Sequence, residues 1–231
     1  MTTPSANVVD KIAVVVPAFN AARHLTAVID DICRTIPAQQ IIVVDDGSTD
    51  ETSDKARKAG VNVVEHTVNQ GKGAALSSGA KKAVEMGMDY VVTLDADGQH
   101  DPAEIPKFIE HAQKTGADII LGNRMKDRKD MPFIRVFANR ATSAFVSLRT
   151  GKNIPDSQNG YRMLRTWVFD KVKLETKRYD TESEILIKAA AAGASIDSIP
   201  VQTIYGSEAS SVNPVIDTMR FFRMVFRSMF W

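Results

Sequence analysis

The sequence predicts an α/β domain with a mostly parallel central sheet and helices packed on its faces. Three observations point to it. Short continuous apolar runs alternate with longer amphipathic ones through the first half of the chain, the pattern of strands joined by crossover helices. The runs are rich in Val and Ile without polar alternation, as strands buried on both faces are. Acidic residues recur where the runs stop, at Asp45-Asp46 and at Asp95, the edge of an open sheet at which ligands bind.

Element by element, the apolar run at 12–16 is a strand closed by Pro17. Leu25, Val28, Ile29 and Ile32 then recur at helical spacing and predict a helix over 24–35. A second strand over 41–44 ends at Asp45 and Asp46. The same alternation predicts a helix over 50–59, a strand over 61–65, a helix over 73–86 and a strand over 90–94 that ends at Asp95. A helix over 102–115 and a strand over 118–121 lead into Gly122-Asn123-Arg124. Beyond that point the pattern is less regular. It reads as a basic stretch over 124–140, a loop over 151–160, a helix over 182–192 and a strand over 198–204, then a Gly/Ser-rich loop and a C-terminal helix from Pro214.

A chain of 231 residues buries a core without disulfide or metal staples. Its net charge of +1 gives no global attraction to nucleic acid or anionic lipid, so an anionic partner must be held locally. Cys33 is the single cysteine, which excludes an intramolecular disulfide. It falls in an apolar-periodic stretch and is expected to be a packed thiol in a reducing cytoplasm. Residues 1–11 lack the apolar run of a signal peptide, and no run of about 18 apolar residues occurs, so no membrane span is expected.

The chemistry concentrates in Asp95-Ala96-Asp97-Gly98-Gln99-His100, directly after a predicted strand. Two carboxylates one residue apart can share a divalent ion, and hard oxygen donors suit Mg²⁺ or Mn²⁺, with Gln99 as a neutral ligand. Such an ion neutralises charge on a departing nucleoside diphosphate. Taken alone, Asp95-Ala96-Asp97 reads as a solvated acidic turn, and the neighbouring segments reverse that reading. Asp45-Asp46-Gly47-Ser48-Thr49-Asp50 ends another strand. There Asp46 can accept from a base or ribose, or the segment is a turn with a helix cap. Pro17, Phe19 and Asn20 place a rigid turn and an aromatic ring at the end of the first strand. Asn69-Gln70-Gly71-Lys72-Gly73 enters a helix through a glycine-containing loop, a form that binds anions. Arg124 follows a strand with a planar fork suited to phosphate. Asp156 lies in a loop, where catalytic bases are commonly found, although a helix-capping role fits it too.

In this order the segments resemble the family 2 glycosyltransferases, and among them the dolichol- and polyprenol-phosphate sugar synthases. The resemblance rests on Val-Pro-Ala-Phe-Asn at 16–20, Asp-Asp-Gly-Ser-Thr-Asp at 45–50, Asn-Gln-Gly-Lys-Gly at 69–73, Asp-Ala-Asp-Gly-Gln-His at 95–100, Gly-Asn-Arg at 122–124 and Asn-Gly-Tyr-Arg at 159–162. It implies a GT-A fold, a UDP- or GDP-sugar donor, a divalent metal and inversion at the anomeric carbon. It implies a nucleotide-sugar site built from Pro17, Phe19, Asn20, Val44, Asp46, Lys72, Asp95, Ala96 and Arg124. The metal would be held by Asp95, Asp97 and Gln99, and Asp156, Arg124 and Asp97 would form the catalytic set. One domain is implied, with a nucleotide-sugar half over 12–124, an acceptor half over 125–213 and an amphipathic helix over 214–231.

Ala21 stands where those synthases carry Glu, and Thr203 and Ala209 stand where they carry cations. The expected acceptor is a polyprenyl or dolichyl phosphate, already an anion, which needs no base and leaves Asp156 to orient. A hydroxyl acceptor would need Asp156 as base, with Glu182 and Glu184 in reserve. A sugar nucleotidyltransferase would open with a Gly-rich loop carrying Arg and Lys, which this first strand lacks. A non-catalytic sugar-nucleotide-binding module would not need the intact Asp95 to Gln99 set. The segment 219–231 mixes aromatic, Met and Arg residues with no acid. It is expected to touch the cytoplasmic membrane face peripherally, or to pack on its own domain or on a second subunit of a homo-oligomer.

Overall fold

The computed structural model describes residues 11–126, 133–176, 180–204 and Phe226. Among the described residues there are seven strands: β1 (Ile12–Ala18), β2 (Ile41–Asp45), β3 (Asn62–Glu65), β4 (Tyr90–Thr93), β5 (Ile119–Asn123), β6 (Arg162–Arg165) and β7 (Ile196–Pro200). They form one sheet in the order β3-β2-β1-β4-β6-β5-β7. All pairings are parallel except those of β6, which runs antiparallel to both β4 and β5.

The period of two along β1 divides the core. Ile12, Val14, Val16 and Ala18 point to one face, against α1 (Leu25–Cys33), α2 (Thr52–Lys58) and α4 (Ile105–Thr115). Ala13 and Val15 point to the other, against α3 (Lys72–Glu85), α5 (Phe133–Thr150), α6 (Trp167–Lys171) and α7 (Thr181–Ala191). Helix α3 lies so close to the sheet that a Cβ on Gly79 would sit 2.4 Å from a methyl of Val15. Helix α4 follows a 3₁₀ turn that Asp101 caps by accepting from Ala103 N, and it ends at Gly116 in the left-handed region.

Strand β1 is flanked by β2 on one side and β4 on the other. This is the switch point of the topology, where loops diverge and leave a crevice at the carboxyl ends of the strands. Among the described residues no helix is long and apolar enough to cross a membrane.

Several expectations are corrected. The basic stretch after Arg124 is largely the helix α5, whose buried stripe is Val136, Asn139, Thr142, Ser143 and Val146. Its polar members hide the apolar period. The strand Arg162–Arg165 and the helix α6 fall in a stretch for which the pattern predicts no element. Strand β7 starts at Ile196 and stops at Pro200, while Thr203 makes only an isolated antiparallel bridge to His100. Cys33 is exposed rather than packed, because Leu25, Val28, Ile29 and Ile32 form the buried stripe of α1 and Cys33 falls outside it. Ala209, the Gly/Ser-rich loop and the proposed membrane segment lie outside the described residues, apart from Phe226.

Candidate active site

The carboxyl ends of β1, β2, β4 and β5 share one edge of the sheet, and the chemistry-bearing segments collect there. At the end of β1 the Phe19 ring is half exposed, and Asn20 adopts φ +51°, a left-handed conformation that Asn tolerates better than most residues. The turn is stitched to the loop after β2. Asn20 N donates to Ser48 Oγ, Thr49 N donates to Asn20 Oδ1, and Ala21 N donates to Thr52 Oγ1, all at 2.8–2.9 Å. Pro17 is paired with Val44 in the sheet, and the Val44 side chain is fully buried, so it can offer a ligand only backbone. Ala96 also packs into the core.

Asp46 is buried, and its oxygens serve the protein itself. Oδ1 accepts from Gln70 N at 2.9 Å and from His66 Nδ1 at 2.6 Å, while Oδ2 accepts from Gly71 N at 2.7 Å. Nδ1 is the donor because the carboxylate can only accept. The other ring nitrogen of His66 meets Ser78 Oγ at 2.9 Å. Asp46 thereby fixes the glycine loop that starts α3, where Gly71 takes φ +94°.

Lys72, at the start of α3, turns its ammonium toward two carboxylates. Its Nζ lies 2.7 Å from Asp95 Oδ1 and 2.6 Å from Glu182 Oε1. Burial disfavours the ammonium, but the two carboxylates more than reverse this and raise its pKa. Asp95 is the counterpart: burial opposes its charge, and Lys72 with His100 holds it well below the usual carboxylate range. The His100 Nε2 is 3.5 Å from Asp95 Oδ2, and its ring leans on Tyr161. A Cβ on Gly160 would sit 2.9 Å from Asp95 Oδ2 and 3.0 Å from Lys72 Nζ, so any larger residue here would push on the ends of those two side chains. Thr93 Oγ1 donates to Gly160 O at 2.6 Å and holds the loop down.

Asp97 is exposed, with Gln99 N donating to Oδ1 at 2.9 Å. Among the described residues no three His, Cys, Asp or Glu side chains converge to hold a metal. Two carboxylates and an amide, all hard oxygen donors in one turn, are of the kind that would suit Mg²⁺ or Mn²⁺.

Arg124 opens the turn after β5. Its Nε and Nη2 donate to Asp156 at 2.8 and 3.0 Å, and its backbone N donates to Oδ2 at 3.1 Å. Asn139 of α5 adds a fourth donor at 2.7 Å. Asp156 is fully buried, which opposes its charge, yet Arg124 and then Asn139 lower its pKa. Arg124 itself remains one-fifth exposed. Asp156 and Gly160 belong to one loop, so the Arg124 pair and the Asp95 cluster are tied together. Arg162 ties it further, donating at 2.7 Å to the carbonyls of Asn159, Ser157 and Glu182; its burial lowers its pKa to about 10. Glu184 is taken up by Glu175 N, Thr176 and Lys188. His66 and Asn139 escaped sequence reasoning. His100 and Gly160 lie inside the motifs at 95–100 and 159–162, but no role was assigned to either. A cleft of about 410 Å³ opens beside Asp45, Gly47, Ser48 and Arg57. It contains neither Asp95, Asp97 nor Arg124, so strand-end chemistry rather than concavity defines the site.

Comparison with known proteins agrees with this geometry. The profile of Glycosyl transferase family 2 matches residues 13–173. A UDP-N-acetylglucosamine–dolichyl-phosphate N-acetylglucosaminyltransferase of Methanococcus voltae is 31% identical over 242 residues, covering 94% of this chain and 96% of that one. A polyprenol monophosphomannose synthase of Mycolicibacterium smegmatis is 28% identical, covering 81% and 75%. The structure of glucosyl-3-phosphoglycerate synthase from Mycobacterium tuberculosis with Mn²⁺ and UDP-glucose superposes with a TM-score of 0.70 at 20% identity, covering 99% of this chain and 83% of that one. The fold is therefore GT-A, and the chain belongs to glycosyl transferase family 2.

Proposed function

We propose that the chain transfers a hexose from a UDP- or GDP-sugar to a polyprenyl or dolichyl phosphate, with inversion at the anomeric carbon. The relatives named as lipid-phosphate transferases support the acceptor class. The observation that carries the reading is the state of Asp156. Four donors occupy its carboxylate, filling about the four lone-pair sites it has, and its lowered pKa makes it a poor proton acceptor. A phosphate acceptor is already an anion and needs no base. Asp156 then serves as a positioning residue that aims the Arg124 fork.

In this reading Phe19 lies against the base, and the edge at Asp46 to Gly71 shapes the nucleotide site through backbone. Arg124 meets the diphosphate as charge develops on it. Asp97, Asp95 and Gln99 would hold Mg²⁺ or Mn²⁺, which supplies further neutralisation of the leaving group. The enzyme would work at the cytoplasmic membrane face as a peripheral protein.

One observation favours a second reading, in which a hydroxyl acceptor is activated by Glu182. Its Oε2 is buried without a hydrogen-bond partner and borders a small cavity beside Lys72 and Gly160. The deciding experiment measures nucleoside diphosphate release from UDP- and GDP-sugars with Mg²⁺ or Mn²⁺, with and without polyprenyl phosphate. Acceptor-stimulated turnover with one donor is expected. Release indifferent to polyprenyl phosphate but stimulated by a hydroxyl acceptor, and lost in Glu182→Gln, would establish the second reading instead.

A further inference from the structure

Helix α5 has two faces with different business. The inner face carries Asn139, which binds Asp156 and through it Arg124. The outer face exposes Phe133, Phe137 and Leu148, at 84%, 64% and 81%. With about 100° per residue, Phe133, Phe137, Ala141, Ala144 and Leu148 fall within about 80° of one another, a continuous apolar stripe. All five are exposed. A soluble surface scatters single apolar residues, whereas an aligned stripe marks a contact.

We propose that this outer face of α5 seats the protein on the surface of an anionic lipid bilayer. The charge pattern selects that occupant. Phe133–Thr150 contains Arg135, Arg140 and Arg149 and no acidic residue, although the whole chain is nearly neutral at +1. Arg140 and Arg149 are exposed, one on each side of the stripe. Apolar residues flanked by cations are the pattern of interfacial helices, which bury the stripe at the headgroup boundary and meet anionic lipid with the flanks. A second copy docking face to face would set these arginines against their equivalents. The inference rests on the lipid-phosphate reading above, and it gives that reading a geometry: the element that buttresses Asp156 from within is the one that meets the lipid from without.

The test uses the full chain in vesicle flotation with phosphatidylcholine, with and without phosphatidylglycerol, against the variant Phe133→Ser/Phe137→Ser/Leu148→Ser. None of these side chains joins the core, so circular dichroism should be unchanged. The wild-type chain should float with phosphatidylglycerol vesicles and the variant should lose at least about tenfold in partitioning. Arg140→Glu should weaken binding only where phosphatidylglycerol is present. Turnover on a short, water-soluble prenyl phosphate, read in parallel, should be equal in wild type and variant. Absence of such turnover in both would sink the acceptor reading, while flotation reports on the surface separately. Equal flotation of wild type and variant, or none by either, would overturn the proposal. So would a variant that changes only oligomeric state in sedimentation velocity, which would assign the stripe to a second copy.

Discussion

Replacing Asp156 with Asn separates a positioning carboxylate from a catalytic base, because the two roles predict different effects on stability and different coupling to Arg124. The amide is nearly isosteric but removes the charge facing Arg124, and it offers an NH₂ where only donors point in. Removing one partner of a buried ion pair costs about 3–5 kcal/mol. Arg124 keeps one-fifth of its side chain in solvent, so the lower figure of about 3 kcal/mol applies. For a chain of this size that is a fall of about 6–12 °C in Tm. In the proposed mechanism Arg124 would also lose its aim at the donor diphosphate, and charge-assisted contacts of about 1.5–3 kcal/mol translate to about a 10- to 100-fold loss in kcat/KM.

The assay is differential scanning calorimetry beside steady-state nucleoside diphosphate release, in a cycle with Arg124→Lys. If Asp156 acts through Arg124, the double variant should be little worse than either single one. The pH dependence has a fixed sign. The folded pKa of Asp156 lies below its unfolded value of about 3.9, so its stabilisation is complete above that value and disappears as pH falls through the folded pKa. The stability gap between wild type and variant should therefore close in acid. A variant with native Tm, whose loss of kcat multiplies with that of Arg124→Lys, would refute the positioning role and restore Asp156 as the base.

Gly160→Ala should act on the metal site, since its Cβ would arrive 2.9 Å from Asp95 Oδ2 and 3.0 Å from Lys72 Nζ. The concentration of Mn²⁺ needed for half-maximal turnover should rise by about tenfold, a displacement worth about 1.4 kcal/mol; an unchanged Mn²⁺ titration would remove Asp95 from the metal set. Lys72→Met should leave Asp95 and Glu182 without their shared cation, costing about 3 kcal/mol in urea denaturation at pH 7. The lowered Asp95 pKa contributes stability above about pH 4 and loses it on acidification, while the raised Lys72 pKa contributes below about pH 10. The penalty should thus span neutral pH and shrink in acid, and adding Glu182→Gln should recover part of it. A pH-independent loss would mean that Lys72 matters for packing alone.

The ends of β1, β2 and β4 were legible because Val- and Ile-rich strands buried on both faces stop abruptly at charge. The region after Arg124 was not, and the cause is physical. Helix α5 buries Asn139, Thr142 and Ser143 beside Val136 and Val146, because the loop at Asp156 and Ser157 needs hydrogen-bond partners. A helix whose inner stripe is polar and whose outer stripe is apolar defeats a reading by hydrophobic period. Strand β6 is bounded by arginines that look solvent-bound in sequence. Yet Arg162 is buried under three carbonyls and Arg165 lies 4.7 Å above the Tyr90 ring.

The positions of the candidate residues were therefore easier to read than their occupations. Spacing places Asp46, Lys72 and Asp156 at the site, but it cannot say whether a lone pair or a proton is kept for substrate or spent on a neighbour. In each case it is spent: Asp46 on the loop at Gln70 and Gly71, Lys72 on Asp95 and Glu182, Asp156 on Arg124. A preorganised site needs this division, because groups that meet developing charge must be held before it appears. Phe19, Asp97 and Arg124 keep exposed surface, and each is backed by a group that the protein has used up or by a turn that it has closed. A motif of this kind encodes the support for a reacting group together with the group itself, which is why its residues need not all touch the substrate to belong to the site.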